Sequence, residues 1–188
     1  MSNVYEYYPK FESDKFLLRF VDKGDVEQLL AVYSDKNSLP FFNSDNCHGD
    51  NFYYPTRDKM EQAVNFWLES YKTKWFVRWV IVDKSLSKAI GTIELFKRIA
   101  EDKFDGVGVL RLDLKSEYEK SDIIEAILKL IIPPAYELFD CEEIITKVPN
   151  YAIERLLAVS NFGFKKSNNL LVGTYDGYSY KDYWVIHK

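Results

Sequence analysis

Segments with the hydrophobic spacing of a strand alternate along this chain with segments that have the spacing of a helix. The order of these segments constrains the fold more than any single motif. In residues 108–114 every second residue is apolar, which places Leu110, Leu112 and Leu114 on one face of a strand. The apolar residues of 121–139 recur instead at helical spacing. A strand that leads through a short polar turn into an amphipathic helix predicts a sheet with helices packed against it.

Helical periodicity recurs in four segments. Asp22 is a typical N-cap for a first helix, and a second helix is expected to begin near Thr56. Gly163 can end the fourth helix in a left-handed conformation. Pro133 and Pro134 are expected to kink or end the third, because each removes a backbone donor. The third and fourth helices are predicted over 121–139 and 151–161.

Strand patterns fill the remaining ordered stretches, and they give the element order β, α, α, β, β, β, α, β, α, β, β. No linker or internal repeat divides the chain, so we expect one α/β (α+β) domain over residues 1–188. The last two strands are expected to form a hairpin through a type I′ turn at Asp176 and Gly177. The predicted strands are 16–20, 75–82, 89–96, 108–114, 143–148, 170–175 and 178–187.

Charge and composition exclude several classes of partner. The formal net charge is −4, and no basic cluster is present to attract nucleic acid or an anionic membrane. The first fifteen residues lack the apolar core of a signal peptide, and no stretch is long enough to span a membrane, so we expect a cytoplasmic protein. Cys47 and Cys141 have none of the spacings typical of zinc or disulfide frameworks, and reduced thiols are expected.

Four segments, taken in order, resemble the GNAT superfamily, particularly the branch of ribosomal-protein N-terminal acetyltransferases. The resemblance covers about residues 16–187 and implies a mixed, mostly antiparallel central sheet flanked by helices. The segments that carry it are Leu17-Leu18-Arg19-Phe20, Ala89-Ile90-Gly91-Thr92-Ile93-Glu94-Leu95, the strand-loop-helix from Leu110 to Ile124, and Asn150 with Arg155-Leu156-Leu157 and Gly163-Phe164.

This resemblance implies an N-acetyltransferase. Such an enzyme moves an acetyl group from acetyl-CoA to a primary amine, on a small molecule or a peptide N-terminus, by direct attack. It implies no metal, and it fits a monomer or a homodimer. In the family the coenzyme lies against the strand that matches 110–114, and the following loop wraps the pyrophosphate. The residues implied to bind the coenzyme are Leu112, Asp113, Leu114, Glu119, Lys120, Ser121, Asp122, Ile123 and Ile124.

The pyrophosphate loop departs from the family pattern. Family members typically read Gly-Lys-Gly where this chain reads Lys120-Ser121-Asp122. Glycines let successive amide groups converge on one anion, and a carboxylate nearby repels it. Glu119 and Asp122 supply such carboxylates, whereas Lys115 and Lys120 offset part of the repulsion. The alternative function is therefore a GNAT scaffold with impaired catalysis that acts as a ligand-binding or interaction module.

Attack by an amine needs a group that removes its proton. Glu94 and His48 are the candidate bases, although Glu94 also fits an exposed strand residue and His48 a merely hydrogen-bonded loop residue. Asp113 is a weaker candidate, for which pairing at the surface is the alternative. Many family members place a Tyr on the closing helix to protonate the thiolate. This chain lacks it, and Ser160 is the candidate acid in its place.

The loop between the first two helices combines aromatic rings with carboxylates. It matches the region that shapes the acceptor pocket in the family, and rings with carboxylates can hold a cationic amine. The alternative is a loop that its aromatic residues merely anchor. The residues predicted to bind the acceptor are Phe42, Asp45, His48 and Asp50.

Overall fold

The computed structural model describes residues 4–188, which form one large sheet, a separate two-stranded pair and four α-helices. The helices are α1 (Val26–Tyr33), α2 (Arg57–Lys72), α3 (Ser121–Leu138) and α4 (Ile153–Phe162). The strands are β1 (Phe11–Glu12), β2 (Phe16–Phe20), β3 (Val77–Asp83), β4 (Lys88–Lys97), β5 (Gly108–Leu114), β6 (Glu143–Lys147), β7 (Lys165–Lys166), β8 (Leu171–Val172), β9 (Ser179–Tyr180) and β10 (Tyr183–His187).

The large sheet has the strand order β1-β2-β3-β4-β5-β6-β10-β7. Its neighbouring strands pair antiparallel, except that β5 and β6 run parallel. A parallel pair needs a crossover connection, and α3 provides it. The predicted mixed, mostly antiparallel sheet flanked by helices is confirmed. Among the described residues, none of the helices is both long and apolar enough to cross a membrane.

The two faces of the sheet carry separate hydrophobic cores, because side chains alternate between faces along each strand. On one face Trp79, Ile93 and Leu112 pack in the core that includes the buried side of α3. On the other face Val80 packs with the buried residues of α1 and α2, including Met60. Each strand of the centre is therefore buried on both sides.

The predicted helix ends agree with the structure. Asp22 and Asp25 form a capping box that starts a short 3₁₀ turn ahead of α1. The Thr56 side chain accepts a hydrogen bond from the amide of Lys59 at the start of α2. Gly163 ends α4 with φ 113°, in the left-handed region that favours glycine.

Two local predictions need correction. The range predicted for the third helix, 121–139, agrees with α3, but the helix does not end at Pro133 and Pro134 and runs through both to Leu138. Ile131, Ile132, Ala135 and Tyr136 around them are buried, so tertiary packing outweighs the local cost of the prolines.

The C-terminal hairpin is also shorter than predicted. Its strands are β8 and β9, and of the turn residues Asp176 and Gly177 only Gly177 has a positive φ, whereas a type I′ turn needs two. The chain then turns at Asp182, and β10 inserts into the large sheet between β6 and β7.

Gly91 provides a test of the register between β4 and β5. A Cβ at this position would lie 2.1 Å from the carbonyl oxygen of Asp113. We expect Gly91→Ala to lower the free energy of unfolding by about 3 kcal/mol, measured by urea denaturation. Gly49→Ala is the control, because φ there is +82° with open space around it, and it should cost about 1 to 2 kcal/mol. A smaller loss for Gly91→Ala than for the control would contradict the register.

Candidate active site

A line of charged side chains crosses β3, β4 and β5 on the face that packs against α1 and α2. Alternation places Arg78 on this face, opposite its buried neighbour Trp79. The strand register then sets Arg78 beside Glu94, and Glu94 beside Arg111. We call these three residues the charge line. Its carboxylate lies between two guanidinium groups.

Glu94 uses both carboxylate oxygens within the charge line. Oε2 accepts from Nη2 of Arg78, and Oε1 accepts from Nη1 of Arg111 at 2.7 Å. Burial acts to raise the pKa of Glu94, but Arg78 and Arg111 outweigh it and hold the pKa below its ordinary value. The side chain is buried, so the alternative of an exposed strand residue is wrong. These bonds also leave Glu94 poorly placed to take a proton from an amine.

Asp113 extends the charge line toward α1. Its Oδ2 accepts from Tyr33 Oη at 2.7 Å and from Arg78 Nη1 at 3.1 Å. Burial raises the pKa of Asp113, and Oδ1 has no hydrogen-bond partner. Asp113 is fully buried, so the expected pairing at the surface is wrong.

A pocket of about 550 Å³ lies over the charge line. This volume is within the usual range for small-molecule sites. Rings from the loop, from α2 and from the start of β3 form its walls, and the charge line forms its floor. The lining residues are Asn46, Cys47, His48, Asp50, Phe52, Tyr54, Phe66, Trp67, Trp75, Phe76, Arg78, Glu94 and Arg111. A neighbouring cavity of about 480 Å³ does not reach the charge line.

The aromatic walls already surround an internal cation. The guanidinium carbon of Arg78 lies 4.2 Å from the ring centroid of Trp67, and the rings of Phe52 and Phe76 are within 5.9 Å of it. The ring faces expected to hold a cationic acceptor therefore contact Arg78 instead. Trp75 and Phe66 are 62% and 54% exposed, so apolar surface remains open at the mouth.

The structure brings His48 and Asp50 into this pocket together with Glu94. Both are exposed, and the ring centroid of His48 lies 3.4 Å from that of Tyr175. Asp50 accepts from the Tyr54 hydroxyl at 2.7 Å, which leaves its carboxylate already partly engaged. These two loop residues are the predicted ones that line the pocket.

Phe42 and Asp45 lie elsewhere. Phe42 is buried and packs against the ring of Tyr33. The carboxylate of Asp45 accepts from Lys147 at 2.6 and 2.7 Å and from the Tyr183 hydroxyl at 3.1 Å. Asp45 therefore links the loop to β6 and β10. These contacts engage the carboxylate that was predicted to bind the acceptor, and Asp45 does not line the pocket.

On the opposite face of β5, a groove separates β5 from β6. The two strands pair only from Gly108–Leu110 to Ile144–Thr146, and the groove continues beyond this pairing. It is lined by residues of both strands, of α3 and of α4, including Arg155 and Val159. Its cavity volume is about 10 Å³, enough for about one water molecule. We call it the strand groove.

Arg155, which lines the strand groove, forms a buried ion pair. Arg155 donates from Nε to Glu119 Oε2 at 2.8 Å and from Nη2 to Oε1. Both side chains are almost fully buried. Glu119 was predicted to contact the coenzyme, but its carboxylate pairs with the guanidinium of Arg155 in the same chain.

A second carboxylate lies at the start of α3. The amide of Ser121 donates to Glu154 Oε2 at 2.7 Å, and this bond lowers the pKa of Glu154. Lys120 takes the N-cap position without a side-chain cap. Of the other predicted coenzyme residues, Leu112, Leu114 and Ile124 are core residues on the groove side, Ile123 is half-buried, and Asp122 is exposed.

Ser160 is not brought to the site. It is exposed on α4, whereas its neighbour Val159 faces the strand groove. The prediction that Ser160 donates a proton at the thiolate therefore lacks the geometry it needs.

Sequence reasoning missed the three arginines. Arg78 and Arg111 form the floor of the pocket, and Arg155 lines the groove. A signal was present, because Arg78 and Arg111 each interrupt an apolar strand. A charge inside a buried strand requires an opposite charge nearby.

No family model and no curated protein matches this sequence. Solved structures do match. A ribosomal-protein-S5-alanine acetyltransferase from Vibrio fischeri is 21% identical, with TM-score 0.67 and 96% of each chain covered. A GNAT-family acetyltransferase from Bacillus anthracis is 11% identical, with TM-score 0.68 and coverage of 95% of this chain and 98% of that one.

A ribosomal L7/L12 alpha-N-protein acetyltransferase, solved in complex with coenzyme A, is 13% identical with TM-score 0.69. The alignment covers 95% of this chain and 98% of that one. At these identities the likeness concerns the fold. The chain has the GNAT fold that its sequence predicted.

Replacing Glu94 tests the charge line. Glu94→Gln leaves two buried guanidinium groups with one fewer anion, so we expect about 3 to 5 kcal/mol less stability at neutral pH. Glu117→Gln, which removes an exposed pair with Lys115, should cost under about 1 kcal/mol.

The pH dependence gives a second measurement. The pKa of Glu94 is below its ordinary 4.5, so the stability from its charge is complete above that pH and is lost below it. The melting temperature of Glu94→Gln should therefore fall less steeply than that of the wild type below about pH 4.5. Equal acid slopes would argue against a charged Glu94.

Proposed function

We propose that this protein is an N-acetyltransferase that moves an acetyl group from acetyl-CoA to a primary amine held in the aromatic pocket. One observation carries the proposal: the pocket and the strand groove share β5. Arg111 forms part of the pocket floor, whereas Leu110 and Leu112 on the same strand line the groove. A single strand thus separates a site for an acceptor from a site for a donor.

The donors at the start of α3 suit an anion. The amide of Ser121 and the guanidinium of Arg155 already hold two carboxylates of the chain, which stand in for the phosphates of a coenzyme. Ser121, Arg155 and the nearby Lys120 are the residues that would hold the diphosphate. Acetyl-CoA, when bound, supplies the acetyl group as a thioester.

The chain's own residues prepare the amine. The aromatic walls exclude water from an apolar part of the acceptor, and the charge line holds the pocket floor rigid through buried ion pairs. His48 takes the proton in this proposal, because it lines the pocket whereas both oxygens of Glu94 are engaged.

The open mouth favours a peptide N-terminus over a small free amine as the acceptor. Exposed Phe66 and Trp75 can contact residues that follow the amine. Two of the similar structures are acetyltransferases of ribosomal proteins, which accords with a protein acceptor.

A second candidate function is a GNAT-fold binding module that uses the pocket without a coenzyme. The strand groove favours it, because its cavity is only about 10 Å³ and the guanidinium of Arg155, which lines it, is already paired with Glu119. The two candidates differ in whether acetyl-CoA binds.

Thermal unfolding with acetyl-CoA separates them. At about a hundred times its dissociation constant a ligand adds about 2.7 kcal/mol, which raises the melting temperature of a chain this long by about 5 to 10 °C. ATP serves as the control, because it carries the nucleotide without the pantetheine and should give a smaller shift. An unchanged melting temperature at millimolar acetyl-CoA would favour the binding module.

The proposed base has its own test. We expect His48→Asn to lower kcat by about a hundredfold or more, because a positioned base contributes about that much. Asparagine suits the position, since φ of His48 is 58° and Asn tolerates this region. Acetylation of a panel of peptides with free N-termini is followed by release of the CoA thiol. Ser160→Ala should match the wild type, and an equal rate for His48→Asn would remove His48 from the mechanism.

A further inference from the structure

Two glutamates occupy the donors that an anionic coenzyme would need. Glu119 holds the guanidinium of Arg155, and Glu154 holds the amide of Ser121. The first contact is buried and bidentate, and the second lies at the positive end of α3. Glu119 lies just before α3 and Glu154 in the first turn of α4, so both contacts join the start of α3 to the start of α4.

We propose that Glu119 and Glu154 close the strand groove and compete with the diphosphate of acetyl-CoA for these donors. This inference rests on the proposed acetyltransferase function. The diphosphate and the two carboxylates are all anions, so they cannot share the donors without strong repulsion. Coenzyme binding therefore requires the carboxylates to leave these donors, and removal of one carboxylate charge tightens coenzyme binding.

The side chain of Arg155 closes the groove sterically as well. It lines the groove together with Val159, Leu110 of β5 and Thr146 of β6, and the cavity that these side chains leave is about 10 Å³. An extended chain entering between the strands would have to displace it. The ion pair with Glu119 opposes this movement, because separating a buried pair leaves an uncompensated charge.

Both sides of the ion pair are anchored. Helix α4 is held by Asn161, which donates to Glu125 of α3 at 2.8 Å, and just before its first residue Tyr151 donates to the Pro40 carbonyl at 2.6 Å. The 3₁₀ turn Ser116–Tyr118, which Glu119 follows, is held by Ser116, whose amide and hydroxyl donate to Asp35 at 3.1 and 2.6 Å. Opening by rotation of the Glu119 side chain away from Arg155 would leave these anchoring contacts in place.

Calorimetric titration with acetyl-CoA tests the proposal. Glu154→Gln keeps the side-chain shape and removes one competing charge, so we expect about fivefold to tenfold tighter binding than the wild type at low salt. Glu119→Gln should tighten binding further, since it frees Arg155 for the diphosphate. Because Glu119→Gln weakens a buried pair and can impair folding, Glu154→Gln is the decisive variant.

Glu125→Gln is the matched control. It removes the same charge from α3 one turn further on, and its side-chain oxygen can still accept from Asn161. Its affinity should equal that of the wild type. The gain in Glu154→Gln should also shrink at about 1 M salt, where charges are screened over about 3 Å.

The outcomes distinguish failure of the proposed competition from failure of the proposed acetyltransferase function. Tighter binding by Glu154→Gln than by Glu125→Gln supports the competition. Equal affinities for wild type, Glu154→Gln and Glu125→Gln overturn it and leave the acetyltransferase function standing. Absence of binding in all of them, including a folded Glu119→Gln, overturns both.

Discussion

The buried charge line from Arg78 through Glu94 to Arg111 is the constraint on which the pocket depends. Charged groups in the centre of a sheet are costly unless each finds a partner, and here the register of three strands supplies the partners. The same pairs fix the floor beneath the aromatic walls. A one-residue slip of β4 would turn Glu94 to the α3 face, which would leave Arg111 without a carboxylate partner and Arg78 with Asp113 alone.

Much of the fold follows from local sequence patterns. The alternation of Leu110, Leu112 and Leu114 and the helical spacing after Ser121 predicted a strand, a turn and a helix that the structure confirms. The capping residues Asp22 and Thr56 also agree with the structure. The expectation that Pro133 and Pro134 could end α3 is wrong, because local rules do not weigh the burial that α3 gains on the sheet.

The site was less predictable, because its contacts join residues distant in sequence. From the sequence, Asp45 was a reasonable ligand for an amine. In the structure its carboxylate pairs with Lys147, which is 102 positions away in the sequence. Glu94 is similarly unavailable as a base, because Arg78 and Arg111 engage its two carboxylate oxygens. Only His48 and Asp50 among the loop candidates reach the pocket, and no periodicity distinguishes them from their neighbours. Contacts between segments distant in sequence, which a single sequence does not reveal, decided each case.

Strand β5 connects the pocket with the strand groove. Its period of two sends Arg111 and Asp113 into the charged face and Leu110 and Leu112 toward the groove, so the two faces meet different environments. The charged face is held by ion pairs within the sheet, and those pairs do not involve Glu119 or Glu154. The ion pairs that shape the pocket are therefore independent of those at the groove, and in the proposed acetyltransferase this would allow donor access to be controlled separately from acceptor binding.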